Sequence, residues 1–255
     1  MNLLFIGDVV GKNGCNFLLN NLPNVKRQND IDITIVNGEN SAQGNGIHNM
    51  SYKAIVSAGA DVITTGNHAF RRNDCYSLFE DKYNLLRPAN FPEGCIGVGV
   101  RTFDCGKYSY AVVNLMGTAF MDALDNPFTT IDSVLKTIDT PNIFVDFHAE
   151  ATAEKKAMGY YLAKRVTAVL GTHTHVPTAD ETIIDGHTAY ITDVGMTGAE
   201  RSILGVKIKP ATDRFRFHMP VKFTEAESSP FMCGVIVSFD EKTGSAYSIK
   251  RICVR

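Results

Sequence analysis

Several things are missing from this chain of 255 residues, and each absence narrows what it can do. No apolar stretch approaches the ~20 residues a helix needs to cross a bilayer, so no membrane association is expected. The first residues, Met1 to Phe5, carry no basic segment and no long apolar run before Asp8, unlike a secretory signal, and a cytoplasmic protein is expected. The six cysteines form no C-x-x-C pair, and the nearest neighbours, Cys95 and Cys105, are ten apart; reduced and mostly buried thiols are expected rather than a disulfide framework. There is no excess of basic charge: the formal charge is -2, with a pI near 6.4, so no footprint for long nucleic acid is expected. Small anionic substrates stay open, because bound cations can supply local positive charge. Repeats, low-complexity segments and stretches of linker composition are also lacking, which favours one domain over 1–255 and leaves homo-oligomerisation open.

What is present is an ordinary folding composition, 44% hydrophobic and 20% charged, and five short apolar runs that each stop at a metal-type donor. Leu3 to Gly7 ends in Asp8. Ile33 to Val36 runs into Asn37-Gly38-Glu39-Asn40. Val62 to Thr65 runs into Gly66-Asn67-His68. Ile143 to Phe147 ends in His148. Val166 to Leu170 runs into Gly171-Thr172-His173-Thr174-His175. Short, near-continuous apolar runs read as strands buried on both faces, and open α/β sheets bind ligands beyond the carboxyl ends of such strands. One sheet edge would then gather carboxylates, carboxamides and imidazoles.

Between the runs, Lys12 to Gln28 reads as partly helical, with Pro23 ending or bending it. Ser51 to Gly59 reads as a helix with Ser51 as N-cap and Gly59 as stop. Arg71 to Glu80, Asn126 to Thr137 and Glu150 to Arg165 are further helices. Val98 to Val113 reads as a hairpin turning at 104–107, and Asp180 to Asp193 as one turning at Asp185-Gly186. Phe215 to Phe223 alternates weakly and places His218 in a strand; Phe231 to Val254 is a closing hairpin. The pattern is α/β, with two packed sheets between helices.

Divalent transition metals take imidazole nitrogen and carboxylate oxygen, and two ions ~3.5–4 Å apart can clamp the oxygens of an in-line phosphoryl displacement. Asp8 and Glu39 are the carboxylate candidates; Asp8 alone would be an ordinary turn residue. His173 and His175, at i and i+2, face one side of extended backbone and can reach one bimetallic site. Asn67 offers a carbonyl oxygen, while His68 can sit nearer substrate than metal. His148 adds an imidazole where another run ends, His187 reads as solvated at a hairpin tip, and His48 lies in a flexible loop near Glu39. Gly7 to Gly14 is a glycine-rich decoy: it has neither the P-loop nor the dinucleotide-binding spacing.

In order and type, these motifs resemble the calcineurin-like metallophosphoesterases, and more closely the YmdB-like branch of 2′,3′-cyclic nucleotide 2′-phosphodiesterases. The resemblance extends through Phe5 to Gly11, Arg87-Pro88-Ala89-Asn90 and Thr192-Asp193-Val194-Gly195-Met196. Val10 stands where the broad superfamily has a histidine, and Glu39 where it has a bridging aspartate; both agree with the narrower branch. The resemblance implies a four-layer α/β/β/α sandwich with two mixed sheets and two metal ions, iron or manganese. It implies one ion held by Asp8, Glu39, Asn40 and His175, and the other by Glu39, Asn67, His148 and His173. It also implies a small 2′,3′-cyclic nucleotide substrate, opened to the 3′-nucleotide by in-line attack of a metal-bound hydroxide, with His68 as proton donor to the leaving 2′ oxygen. The competing expectations are a broader phosphomonoesterase or phosphodiesterase on small esters, and a weakly active metal-containing regulatory protein. An amidohydrolase is less apt, because its His-x-His pair comes first along the chain and here it comes last.

Overall fold

The computed structural model describes residues 1–255. All five apolar runs are strands, but they divide between two sheets rather than sharing one edge. The first sheet holds β1 (Asn2–Ile6), the two-residue β2 (Asp8–Val9), β3 (Ile33–Asn37) and β4 (Val62–Thr64). The second holds β5 (Val100–Asp104), β6 (Ser109–Met116), β7 (Ile143–His148), β8 (Ala168–Thr172), β9 (Thr182–Ile184) and β10 (Thr188–Ile191), in the order β5-β6-β7-β8-β10-β9. β11 (Met196–Ala199), β12 (Pro230–Phe239) and β13 (Ala246–Val254) return to the first sheet, making it seven-stranded. β12 runs antiparallel to β1, β11 and β13, while β1, β3 and β4 are mutually parallel, so the sheet is mixed. In the second sheet β6, β7, β8 and β10 are parallel, and the edges β5 and β9 are antiparallel.

Alternation along the strands builds the layers. Leu3, Phe5 and Ile35 face Phe144 and Leu170 in a core between the sheets. Leu4, Ile6 and Val36 point the other way, onto α1 (Gly11–Gln28) and α2 (Asn49–Ala58). Val145, Phe147 and Val169 pack outward with Ile131 and Met158 of α4 (Pro127–Leu135) and α5 (Thr152–Tyr161). Three cores separate four layers, the α/β/β/α sandwich. No helix is long and apolar enough to cross a membrane.

Several local expectations change. α1 continues through Pro23, because Pro23 is on the solvent face, where the carbonyl freed four residues back can be hydrated, while Cys15, Leu18, Leu22 and Val25 bury the other face. α2 starts earlier than expected: His48 is the N-cap, and Ser51 is the third residue of a reciprocal capping box. Gly59 does close it, at φ 107. Arg71 to Glu80 resolves into a 3₁₀ turn at Asn73–Cys75 and the short α3 (Tyr76–Asp81). α5 is shorter than the 150–165 expectation, which frees Glu150 for another use. Phe215 to Phe223 is not a strand: Phe215 and Phe217 end α6 (Ile208–Phe217), and His218 is its left-handed cap. His187 is half-buried, not solvated. The six cysteines are free thiols as expected, yet Cys105 and Cys253 are exposed and Cys95 is half-buried.

Candidate metal centre

The carboxyl ends of β1, β3 and β4 meet those of β7 and β8 across the gap between the sheets. Two polar ties fix that meeting. Asn37 at the end of β3 donates to Asp146 of β7 (3.0 Å). Asn114 of β6 accepts from and donates to the Thr65 backbone, both at 2.9 Å. All the sequence-marked residues, Asp8, Glu39, Asn40, Asn67, His68, His148, His173 and His175, come together above these ties.

Glu39, fully buried, is the hub. Its Oε1 lies 3.0 Å from Asn40 Nδ2, 3.1 Å from His68 Nδ1 and 3.3 Å from His148 Nε2, and its Oε2 accepts the His68 backbone N–H at 3.1 Å. On one side, His175 Nε2 is 3.1 Å from Asn40 Nδ2 and 3.6 Å from Asp8 Oδ1. On the other, His148 Nε2 is 2.9 Å from Asn67 Oδ1 and 3.0 Å from His173 Nδ1. Donor atoms of Glu39, His148 and His173 all lie within 4.8 Å of one another.

The partners behind the rings decide which nitrogen faces inward. Thr172 Oγ1 donates to Asp146 (2.7 Å), so it accepts from His148 Nδ1 at 2.9 Å. The carbonyl of Leu204 can only accept, so His175 Nδ1 carries the proton at 3.1 Å. Glu150 Oε2 accepts the His173 Nε2 N–H at 3.1 Å. In each imidazole the remaining nitrogen lone pair therefore turns into the cluster, the arrangement that outer-shell partners impose on metal-ligating histidines. His148 Nε2, His173 Nδ1, Asn67 Oδ1 and Glu39 Oε1 then converge as acceptors, and a cation satisfies all of them together. The donor set fits nitrogen- and oxygen-preferring transition metals; no thiol belongs to it.

Protons compete with a cation for these inward-facing positions. Burial presses His148 downward, but the charge and hydrogen bond of Glu39, with Asp8 and Asp146 behind, lift its pKa to about 9. Burial would raise Glu39, yet His148 and His68 hold it well below the ordinary glutamate value. Burial and the neighbouring His148 push His173 down to about 3. Burial raises Asp8 against the pull of His175. The centre favours positive charge between its carboxylates.

Backbone geometry is specialised here. His173 and His175 take φ 106 and 65, unusual for residues with a side chain. They are held by the His173 N–H to Asp8 Oδ2 (3.2 Å) and the Thr174 N–H to Asp193 Oδ2 (3.0 Å). Gly66 lets the β4 end approach: a Cβ there would lie 2.2 Å from His148 Cδ2 and 2.4 Å from Glu39 Oε2. Gly66→Ala is expected to displace His148, to reduce bound metal measured by elemental analysis, and to cost about 1–3 kcal/mol of stability by overpacking. Wild-type metal content with an unshifted melting curve would show that the contact relaxes freely.

Sequence reasoning missed Thr172, Asp146, Glu150, Asn45, Lys155 and the Leu204 carbonyl. Asp146 was visible as a charge inside an apolar strand; the others carried no local signal. His48, near Glu39 in sequence, is used as a helix cap.

The pattern of the YmdB-like protein family matches residues 4–252. A relative from Bacillus subtilis (strain 168), named 2′,3′-cyclic-nucleotide 2′-phosphodiesterase, is 44% identical over 256 residues, covering 100% of this chain and 97% of the relative. The crystal structure of a novel phosphatase from Mycoplasma pneumoniae superposes with a TM-score of 0.95 at 32% identity, over 100% of this chain and 93% of the other. That of a hypothetical protein from Thermus thermophilus gives 0.94 at 38% identity, over 99% and 98%. A match running almost from end to end, by family pattern and by a relative 44% identical over the whole chain, means that this chain belongs to the YmdB-like family.

Proposed function

We propose that the protein is a nucleotide phosphodiesterase that opens 2′,3′-cyclic nucleotides to 3′-nucleotides at a dinuclear metal centre, with 1–255 acting as one unit. The observation that carries this reading is the double cluster around Glu39: Asp8, Asn40 and His175 on one side, Asn67, His148 and His173 on the other. Glu39 would be shared between the ions, and iron or manganese suits donors of nitrogen and oxygen without sulfur. The name and 44% identity of the Bacillus subtilis relative support the substrate class.

Ions held by these residues would supply Lewis acidity, drawing charge from the phosphoryl group and lowering the pKa of water toward neutrality. The remaining work falls to side chains. Breaking the phosphorus–2′ oxygen bond leaves an alkoxide that needs a proton. His68 is suited to give it: Nδ1 faces two acceptors, Asn40 Oδ1 (2.9 Å) and Glu39 Oε1 (3.1 Å), so its N–H points at them and fixes the ring. Nε2, on the open side next to Asn45 Nδ2 at 3.3 Å, is then the atom that exchanges the proton. His68→Ala should retain bound metal and lose about 10²–10⁴-fold in turnover, the usual worth of general acid catalysis. Loss of metal in that variant would make His68 a ligand instead.

The reading is tested by elemental analysis of the purified protein together with product identification from 2′,3′-cyclic AMP. Expected are about two ions per chain and 3′-AMP as product. Formation of 2′-AMP, or equal turnover of simple phosphate monoesters, would replace it with the broader phosphatase reading.

A further inference from the structure

The segment between β11 and β12 does something a mere connection would not. It leaves large apolar side chains in water beside the donor cluster: Phe215 is 74% exposed and Phe223 51%. Scattered single apolar residues on a surface are ordinary, whereas a contiguous apolar wall marks a binding surface. Phe215 and Phe223, with Ile203, Leu204 and Val206, form one side of a cavity of about 260 Å³ whose other side includes Glu39, Asn40, Asn45, His68, His173 and His175.

The wall is fixed rather than trailing. On α6, Ile208, Ala211 and Phe215 fall at i, i+3 and i+7, one helix face, and Ala211 is buried. Below the helix, Lys207 N–H donates to Thr224 O at 2.9 Å and Ala226 N–H to Gly205 O at 2.9 Å, closing the segment into a loop. The contact of the Leu204 carbonyl with His175 Nδ1, at 3.1 Å, joins that loop directly to the cluster.

We infer that Phe215 and Phe223 are the nucleobase platform of this site, and that it senses the presence of a base rather than its identity. The inference rests on the proposed phosphodiesterase reading. With the phosphate among the histidines and Glu39, the ribose carries the base along the same cavity to the aromatic wall. Stacking suits every base, since each has a π face, and the side chains of Ile203, Leu204, Val206, Phe215 and Phe223 offer no donor or acceptor with which to read a base edge.

The test compares the intact protein with Phe215→Ala, Phe223→Ala and the double variant on 2′,3′-cyclic AMP and on the base-free 2′,3′-cyclic phosphate of 1-O-methylribose. The ratio of kcat/KM for the first over the second should fall about 5- to 100-fold in the double variant, the range for loss of base–aromatic stacking. The fall should come through KM, and Phe215→Tyr should preserve the ratio. Calorimetric binding of 3′-AMP should weaken in parallel. The four common 2′,3′-cyclic nucleotides should differ by less than about tenfold in the unmodified protein, as stacking without edge contacts implies. An unchanged ratio in the double variant overturns the platform, as does a 100-fold preference for one base. So does a changed sedimentation coefficient with an unchanged ratio, which would assign the wall to a second copy of the chain. If the unmodified protein fails to open the cyclic nucleotide at all, the functional reading itself fails, a result separable from the others.

Discussion

Replacing Glu39 with glutamine should strip the centre of most of its metal and lower turnover by at least about 10³-fold, a barrier increase of roughly 4 kcal/mol. The change preserves shape and removes one charge. That charge is the element every other part answers to: it meets His68, His148 and Asn40, and it lies where both halves of the cluster can share it. A neutral amide also brings an NH₂ group into a space lined by lone pairs, so it repels a cation where the carboxylate attracted it. The expected result is a protein with an intact circular dichroism spectrum and a metal content well below wild type. Full occupancy in Glu39→Gln would mean that neither ion depends on this residue, and the shared-carboxylate arrangement would have to be abandoned.

The second large effect concerns stability. Lys155 of α5 is buried, and its Nζ reaches both the Thr172 carbonyl and Asp193 Oδ2 at 2.7 Å. Asp193 is buried too and accepts the Thr174 and Gly195 backbone N–H groups at 3.0 and 2.9 Å. The pair therefore sits under the loop that carries His173 and His175 and holds its unusual backbone. Lys155→Met leaves an uncompensated buried carboxylate and should cost about 3–5 kcal/mol. At ~2–4 °C per kcal/mol for a chain near this size, the melting temperature should fall by about 6–20 °C. Lys155→Met with Asp193→Asn removes the stranded charge and should recover part of that loss. Thermal denaturation decides the matter: a single variant within about 1 kcal/mol of wild type would show that the N–H groups alone satisfy Asp193.

The strands were legible because a strand buried on both faces must be apolar throughout, and few other local structures need five such residues in a row. The site was legible for the complementary reason: Asp8, Glu39, Asn67, His148 and His173 interrupt those runs where a folded core has no use for them. The division of the runs between two sheets was not, since strand pairing is a long-range property and each run looks the same on either sheet. Pro23 does not end α1, because it sits on the solvent face, where water can take the hydrogen bond its missing N–H leaves open. α6 was not foreseen, and its last residues, Phe215 to Phe217, were read into a weakly alternating strand, because its apolar face, Ile208, Ala211 and Phe215, borders a cavity. Thr172, Glu150 and the Leu204 carbonyl act only through partners far along the chain, and nothing next to them in sequence announces it.

Because the donors hang from two separate sheets, the thickness of the hydrocarbon slab between those sheets becomes a dimension of the centre. Phe5 and Phe144 lie deep in that slab, and Phe144 meets Phe239 edge-on with centroids 5.2 Å apart. Such rings act as shims: they set the bite of a pincer whose jaws are Asp8 with Glu39 on one side and His148 with His173 on the other. Swapping a ring for a slimmer side chain could retune which ionic radius the pincer grips without altering a single polar atom.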